Sequence, residues 1–316
     1  MKIALLDDYQ GVALSSADWS ILPPEAEVTV FRDTLSDQDA LVSRLEPFAV
    51  IGAMRERTPF PRALLERLPN LKLLITSGMR NAAIDVAAAQ DLGITVCGTA
   101  SPGHATAELT WGLILALARR IVSEHEALRR GAWQQGLGRD LRGATLGVVG
   151  LGRLGGQVAG FGKAFGMEVI AWSTNLTAER AAEVGAEAVS KEDLFRRSDF
   201  ITIHQRLSAR TRGLVDAEAF SWMKADAYLV NTSRGPIVDR DALIAALREG
   251  RIAGAAVDVF DQEPLPRRDE LRGLENLLAT PHIGYVTRET YAVFYRGMAE
   301  GIAAFMQGAP VRVMKP

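Results

Sequence analysis

Short β-branched and Leu-rich runs alternate with segments of helical periodicity almost from end to end, which is the pattern of βαβ units and parallel sheets. In the first third the predicted strands are Lys2–Leu6, Glu27–Phe31, Phe48–Gly52, Leu71–Thr76 and Ile94–Cys97. A helix is expected to start at Ser36, with Asp39 as its capping partner and Leu41, Val42 and Leu45 on its apolar face. From Thr106 to Arg130 one long helix is predicted, with Leu109, Leu113, Leu117, Ile121 and Leu128 at near-helical spacing and Gly131 as its stop. A helix of that length after a complete five-strand unit reads as the connection to a second domain.

A second series follows, with strands at Thr145–Val149, Glu168–Trp172, Phe200–His204, Ala227–Asn231, Ala255–Val259 and Leu277–Thr280. Asp239–Arg248 reads as one of the helices between them. Arg288–Gly308 is a closing helix that presents Tyr291, Phe294, Met298, Ile302 and Phe305 on one side and is expected to return to the first domain. No repeat or long polar linker interrupts the series.

Composition narrows the class. The 316 residues suit two domains, and 48% hydrophobic against 23% charged residues is the balance of a globular protein. Thirty-six basic and 38 acidic side chains leave a formal charge of −2, so neither nucleic acid nor an anionic membrane is expected as a partner. The single cysteine, Cys97, excludes an intrachain disulfide and makes a reducing cytoplasm the expected compartment. The longest uncharged apolar stretch, Leu109–Ala118, is half the roughly 20 residues a membrane helix needs. Lys2, four apolar residues and then Asp7-Asp8 do not read as a signal peptide.

The strand Thr145–Val149 runs directly into Gly150-Leu151-Gly152-Arg153-Leu154-Gly155, followed by a helical pattern. Gly150 permits the tight turn, Gly152 lets the backbone approach a pyrophosphate, and Gly155 allows close helix–strand packing. Strand before and helix after are the context this dinucleotide fingerprint requires. The next strand ends Ala171-Trp172-Ser173-Thr174-Asn175, without the acid that usually bonds the adenosine ribose. Ser173, Thr174 and Asn175 can bond either form of the ribose, so NAD or NADP is the expected cofactor, with dual or NADP-leaning use. Arg153 and Arg180 are the nearest candidates for a 2′-phosphate.

Four histidines are present. His125 lies among charged residues and reads as a solvated face, and His104 as a turn or cap. His204 closes a strand and reads equally well as a groove lining or a core histidine. His282, in Thr280-Pro281-His282-Ile283-Gly284, follows an apolar strand on the kind of loop where α/β sheets bind ligands. Two preceding strands end similarly, one in Asn231-Thr232-Ser233-Arg234-Gly235-Pro236 and one in Asp258-Val259-Phe260-Asp261-Gln262-Glu263-Pro264. Arg, Glu and His on three consecutive strand-end loops suit hydride transfer at a 2-oxo acid. An arginine fork holds the carboxylate and carbonyl, a histidine moves the proton, and a neighbouring carboxylate favours the protonated imidazole.

With these motifs in order, the chain resembles the D-isomer-specific 2-hydroxyacid dehydrogenases, the family of glyoxylate/hydroxypyruvate reductase, D-lactate dehydrogenase and phosphoglycerate dehydrogenase. The resemblance rests on Gly150–Gly155, Asn231–Asp239, Ala256–Pro264, Pro281–Gly284 and Thr106-Ala107-Glu108. It implies an α/β chain of two doubly wound parallel-sheet domains: a Rossmann cofactor domain, residues 103–285, inserted into a flavodoxin-like substrate domain, residues 1–102 and 286–316. It further implies that Arg234 binds substrate, that His282 is the general acid/base, and that Glu263 supports it. Cofactor contacts are implied for Gly150, Gly152, Arg153, Leu154, Gly155, Ser173, Thr174, His204, Thr232, Thr106 and Asp258. Substrate contacts are implied for Ser77, Gly78 and Met79, with no metal and with a homodimer formed through the cofactor domain.

The chain departs from the family pattern at Arg206, where His-x-Pro-Leu is common, and at Arg80, where a small residue is common. Arg55, Arg57 and Arg80 read as solvent-facing; lining the substrate entrance, they would favour phosphorylated or dicarboxylic acids. Two other functions fit the same fold: a non-catalytic NAD(H)-binding regulator of the corepressor kind, and a formate-type dehydrogenase.

Overall fold

A computed structural model describes residues 1–316, and the chain divides into two compact units, Met1–Pro102 with Val286–Pro316, and Gly103–Tyr285. The first unit holds strands β1 (Lys2–Leu5), β2 (Glu27–Val30), β3 (Val50–Ala53), β4 (Leu73–Thr76) and β5 (Thr95–Gly98), with helices α1 (Gln38–Leu45), α2 (Arg62–Leu65) and α3 (Val86–Asp91). All its strand pairs are parallel, in the order β2-β1-β3-β4-β5. This is the flavodoxin-like order. β3 and β4 are buried along their whole length, as strands covered by helices on both faces must be. The cap of α1 differs from expectation: Asp37, not Ser36, accepts the Ala40 amide.

The second unit begins with α4 (Ala105–Ala118) and α5 (Ile121–Arg129) and continues through β6 (Thr145–Val149), α6 (Arg153–Ala164), β7 (Glu168–Trp172), α7 (Ala178–Ala182), β8 (Glu187–Ala188), α8 (Lys191–Arg197) and β9 (Phe200–Ile203). Then come α9 (Ala217–Trp222), β10 (Tyr228–Asn231), α10 (Arg240–Arg248), β11 (Gly254–Val257) and β12 (Leu277–Ala279). Seven parallel strands run in the order β12-β11-β10-β9-β6-β7-β8. The order in which strands are added therefore reverses beside β6, which lies between β7 and β9. That is the switch point at which doubly wound sheets open a crevice at their carboxyl ends. One apolar cluster covers each face, the first including Phe195, Phe220 and Leu243, the second Trp111, Ile114 and Val158.

The single long helix expected over Thr106–Arg130 is two helices. Arg120 adopts the left-handed conformation (φ 55°) between α4 and α5. The cause lies outside the segment: Arg139 donates its amide to the carbonyl of Ala118 at 2.8 Å. The returning chain thereby satisfies an end carbonyl of α4 and lets the helix stop, and no periodicity within 106–130 records that. The closing helix α11 (Arg288–Met306) belongs to the first unit. Beyond it Met314 donates its amide to Val96 at 2.8 Å, fastening the chain end to β5. No helix is long and apolar enough to cross a membrane.

Candidate active site

The fingerprint turn leaves β6 at the switch point. Gly150 has φ 99°, and a Cβ there would stand 3.0 Å from the carbonyl of His204, so only glycine makes this turn. A Cβ on Gly155 would fall 2.0 Å from the Gly150 oxygen, which fixes how closely α6 rides on the strand. Gly152, by contrast, meets nothing within 4 Å on its Cβ side, and it caps α6 without a side-chain bond. The first-turn amides of α6 lie at the positive end of the helix beside this open Cβ side, a cradle that fits a pyrophosphate. Arg153 and Leu154 form that first turn. Ser173 and Thr174 follow the neighbouring strand β7, with Thr174 exposed.

His204 follows β9 on the other flank. Its amide donates to Val149 at 2.8 Å, and its Nε2 lies 2.9 Å from the Thr202 hydroxyl. Burial pushes its imidazole down to about 4, so the ring is neutral at physiological pH and acts as a wall rather than a charge.

Arg234, Glu263 and His282 follow β10, β11 and β12, three adjacent parallel strands, and so emerge side by side at one edge of the sheet. Asn231 shapes the arginine turn: its side chain accepts the Ser233 amide at 3.0 Å and donates to the Arg234 carbonyl at 3.0 Å. The next residue, Gly235, presses on the following loop. A Cβ there would stand 2.2 Å from the Phe260 carbonyl carbon and 2.6 Å from the Asp261 nitrogen. Glu263 then accepts the Phe260 amide on Oε1 at 2.9 Å and meets His282 Nδ1 with Oε2 at 2.5 Å. With Nδ1 committed to the carboxylate, Nε2 is the ring nitrogen left for a ligand. Tyr285 stands edge-on to the imidazole, with ring centroids 5.3 Å apart.

His282 itself has φ 52°, an uncommon conformation for a residue with a Cβ. Asp258 holds it there. Its carboxylate, only 1% exposed, accepts from Thr280 Oγ1 at 2.6 Å and from the amides of Ile283 and Gly284, both at 2.8 Å. Burial raises the Asp258 pKa, although these bonds and the nearby His282 oppose it. Thr106, at the start of α4, donates its hydroxyl to the Gly284 carbonyl at 3.0 Å. Thr232 is buried between β10 and α4 and bonds the Thr110 hydroxyl.

Ser77, Gly78 and Met79 lie in the first unit, after β4. The Ser77 amide is given to Ala53 and the Gly78 amide to Thr99 Oγ1. Met79, 46% exposed, is the one of the three that faces outward. Arg55 donates to the Ser77 carbonyl at 3.0 Å, and Arg57 to the Asp7 carbonyl at 2.6 Å and the Tyr291 hydroxyl at 3.3 Å. Both arginines are therefore engaged within their own unit, whereas Arg80 is exposed. Asn231 and Gly235 lie inside the Asn231–Asp239 motif but carry no separate sequence signal for their shaping roles. Thr110 had a single signal, a hydroxyl inside the apolar stretch 109–118.

The dinucleotide cradle at the switch point of a doubly wound sheet, with a carboxylate–imidazole pair beside an arginine turn, fits a dinucleotide-dependent enzyme. Comparison with known proteins makes this specific. The family described as D-isomer specific 2-hydroxyacid dehydrogenase, NAD binding domain, matches residues 111–284. A glyoxylate reductase of Aeropyrum pernix is 45% identical over 257 residues, covering 78% of this chain and 76% of the relative. The crystal structure of a phosphoglycerate oxidoreductase from Vibrio cholerae o395 superposes with a TM-score of 0.93 at 40% identity, covering 98% of this chain and all of that one. A D-lactate dehydrogenase from Aquifex aeolicus, solved with NAD and lactic acid, gives a TM-score of 0.80 at 27% identity, over 97% of this chain and 96% of that one. The chain belongs to the D-isomer-specific 2-hydroxyacid dehydrogenase family.

Proposed function

We propose that this protein reduces a small 2-oxo acid to the D-2-hydroxy acid, and runs the reverse oxidation, with Arg234, Glu263 and His282 as its working residues. The observation that carries the proposal is the Glu263–His282 contact, made between two strand-end loops beside the Arg234 turn. A bound nicotinamide supplies or accepts the hydride. The Arg234 guanidinium holds the substrate carboxylate and draws electron density from the adjoining carbonyl. His282 gives the proton on Nε2 to the carbonyl oxygen, while the proton on Nδ1 stays on the Glu263 side. In oxidation Nε2 takes the hydroxyl proton back. The nicotinamide end of the dinucleotide would lie against Asp258 and Thr232, with its pyrophosphate at Gly150–Gly155.

On this reading residues 103–285 form the cofactor domain and residues 1–102 with 286–316 the substrate domain, where Met79 is the exposed residue of the Ser77–Met79 loop. The commitment of Arg55 and Arg57 within their unit favours a short, uncharged tail on the substrate, such as glyoxylate or hydroxypyruvate bears. Cofactor use is expected to be dual. No carboxylate ends β7 to repel a 2′-phosphate, yet Arg180 pairs with Glu183 and the Arg153 guanidinium lies across Gly103, so neither forms a dedicated phosphate clamp. A kinetic screen of short and long 2-oxo acids with both reduced cofactors tests these points together. The expected result is reduction of the short acids, with kcat/KM for NADH and NADPH within about tenfold of each other, a difference of about 1.4 kcal/mol. Bound NADH without turnover of any oxo acid would instead support a non-catalytic regulator, and a strong NADH preference would refute dual use.

We also propose a homodimer. Along α5 and the segment after it, Ile121, Leu128, Trp133 and Leu137 are exposed, the last two at 73% and 97%. A run of large apolar side chains left in water marks a contact surface, and a second copy is the expected occupant. Sedimentation equilibrium should return twice the chain mass, and Trp133→Glu with Leu137→Glu should return one; a monomeric wild type refutes it.

A further inference from the structure

Helix α4 buries a hydroxyl that makes two hydrogen bonds, one within the helix and one to the loop that carries Arg234. Thr110 is 0% exposed, and its Oγ1 donates to the Thr106 carbonyl at 2.8 Å, an ordinary bond back to the preceding helical turn. The same oxygen lies 2.7 Å from the hydroxyl of Thr232, two residues before Arg234. A threonine hydroxyl has one proton. Since that of Thr110 goes to Thr106, Thr232 is the donor in the pair and Thr110 the acceptor. One turn earlier in the helix, Thr106 Oγ1 donates to the carbonyl of Gly284, two residues after His282.

A continuous line of bonds thus runs from the Arg234 loop through Thr232, Thr110 and Thr106 to Gly284 and the His282 loop. It passes through a single helix, so the two loops share one rigid reference. Gly284 is fixed from the other side by Asp258, which bonds its amide at 2.8 Å. The direction of the line has a consequence for Thr232. Its only proton points into α4, so toward any ligand its oxygen offers lone pairs alone.

We propose that Thr110 is a positioning residue that holds the Arg234 and His282 loops in register for the reaction. The proposal rests on the roles given to those two side chains above. Nothing about Thr110 touches the reacting atoms; it acts through Thr232 on one side and Thr106 on the other. A guanidinium and an imidazole working on one small keto acid must be placed together, and an error of about 1 Å can cost on the order of a hundredfold in rate.

Thr110→Val keeps the shape and removes the hydroxyl, leaving the Thr232 proton without its acceptor, whereas Thr110→Ser keeps the bond and removes a methyl. Two measurements decide. The first, amide hydrogen exchange of the protein without cofactor, needs no activity: in Thr110→Val, exchange in residues 231–237 and 282–285 should rise several-fold together, while Thr110→Ser stays at the wild-type rate. The second is steady-state kinetics with glyoxylate and NADH. Thr110→Val should lose about tenfold in kcat with little change in KM, and Thr110→Ser should recover it. Unchanged exchange in both loops, or a serine variant as impaired as the valine, would overturn the proposal. A wild type that turns over no oxo acid would overturn the function instead, and the exchange measurement would still decide the coupling.

Discussion

His282→Ala is expected to lower kcat for oxo-acid reduction by about 10² to 10⁴, the range contributed by a positioned acid/base, while NADH still binds. The imidazole is held at Nδ1 by Glu263, 2.5 Å away, so its removal takes away the proton on Nε2 without disturbing the glycine cradle about 130 residues earlier in the chain. Glu263→Gln should cause a smaller loss. Glutamine can still accept the Phe260 amide that Glu263 holds at 2.9 Å, so the loop survives, but the imidazolium formed during oxidation loses its counter-charge. Steady-state kinetics with NADH fluorescence titration checks both. A His282→Ala variant that keeps more than about a tenth of wild-type kcat would remove this side chain from the mechanism.

Gly235→Ala carries the second large effect, and it acts through backbone rather than charge. The added methyl would stand 2.2 Å from the Phe260 carbonyl carbon and 2.6 Å from the Asp261 nitrogen, and neither belongs to a side chain that can turn aside. The loop carrying Arg234 must separate from the loop carrying Glu263. Overpacking of this kind costs about 1–3 kcal/mol of stability, and a displacement of about 1 Å between the arginine and the histidine's support should lower kcat/KM on the order of a hundredfold. Gly273→Ala serves as the control, since a Cβ there meets nothing within 4 Å. Thermal melts and kinetics of the pair check the claim; equal behaviour of the two variants would show that the 235 contact is not decisive.

The site was legible in the sequence to the extent that its chemistry lies in single loops. Gly150, Gly152 and Gly155 announce a dinucleotide turn because each glycine answers a local backbone demand. Arg234, Glu263 and His282 stand out because each follows an apolar strand. Asn231 was invisible as a shaper of the Arg234 turn, since an asparagine at a strand end reads equally well as a plain loop residue. Thr110 was invisible for a different reason. Its partner lies 122 residues away, and only the packing of α4 against β10 and β11 brings them together. The break at Arg120 and the two-residue strand β8 escaped similarly, because a carbonyl taken by Arg139 and a short pairing with β7 are both long-range events.

What the sequence determined by itself is the alternation of strands and helices, the cofactor class and the three residue types proposed for the chemistry, because propensity, glycine geometry and side-chain identity are properties of short segments. Strand order was decided by tertiary structure, and with it the placing of β10, β11 and β12 side by side. The Glu263–His282 bond, the left-handed backbone of His282 under the Asp258 carboxylate, and the hydroxyl line through α4 follow from that order. Each joins groups that chain connectivity leaves far apart, and only the burial of two apolar faces on one parallel sheet draws them within hydrogen-bonding distance.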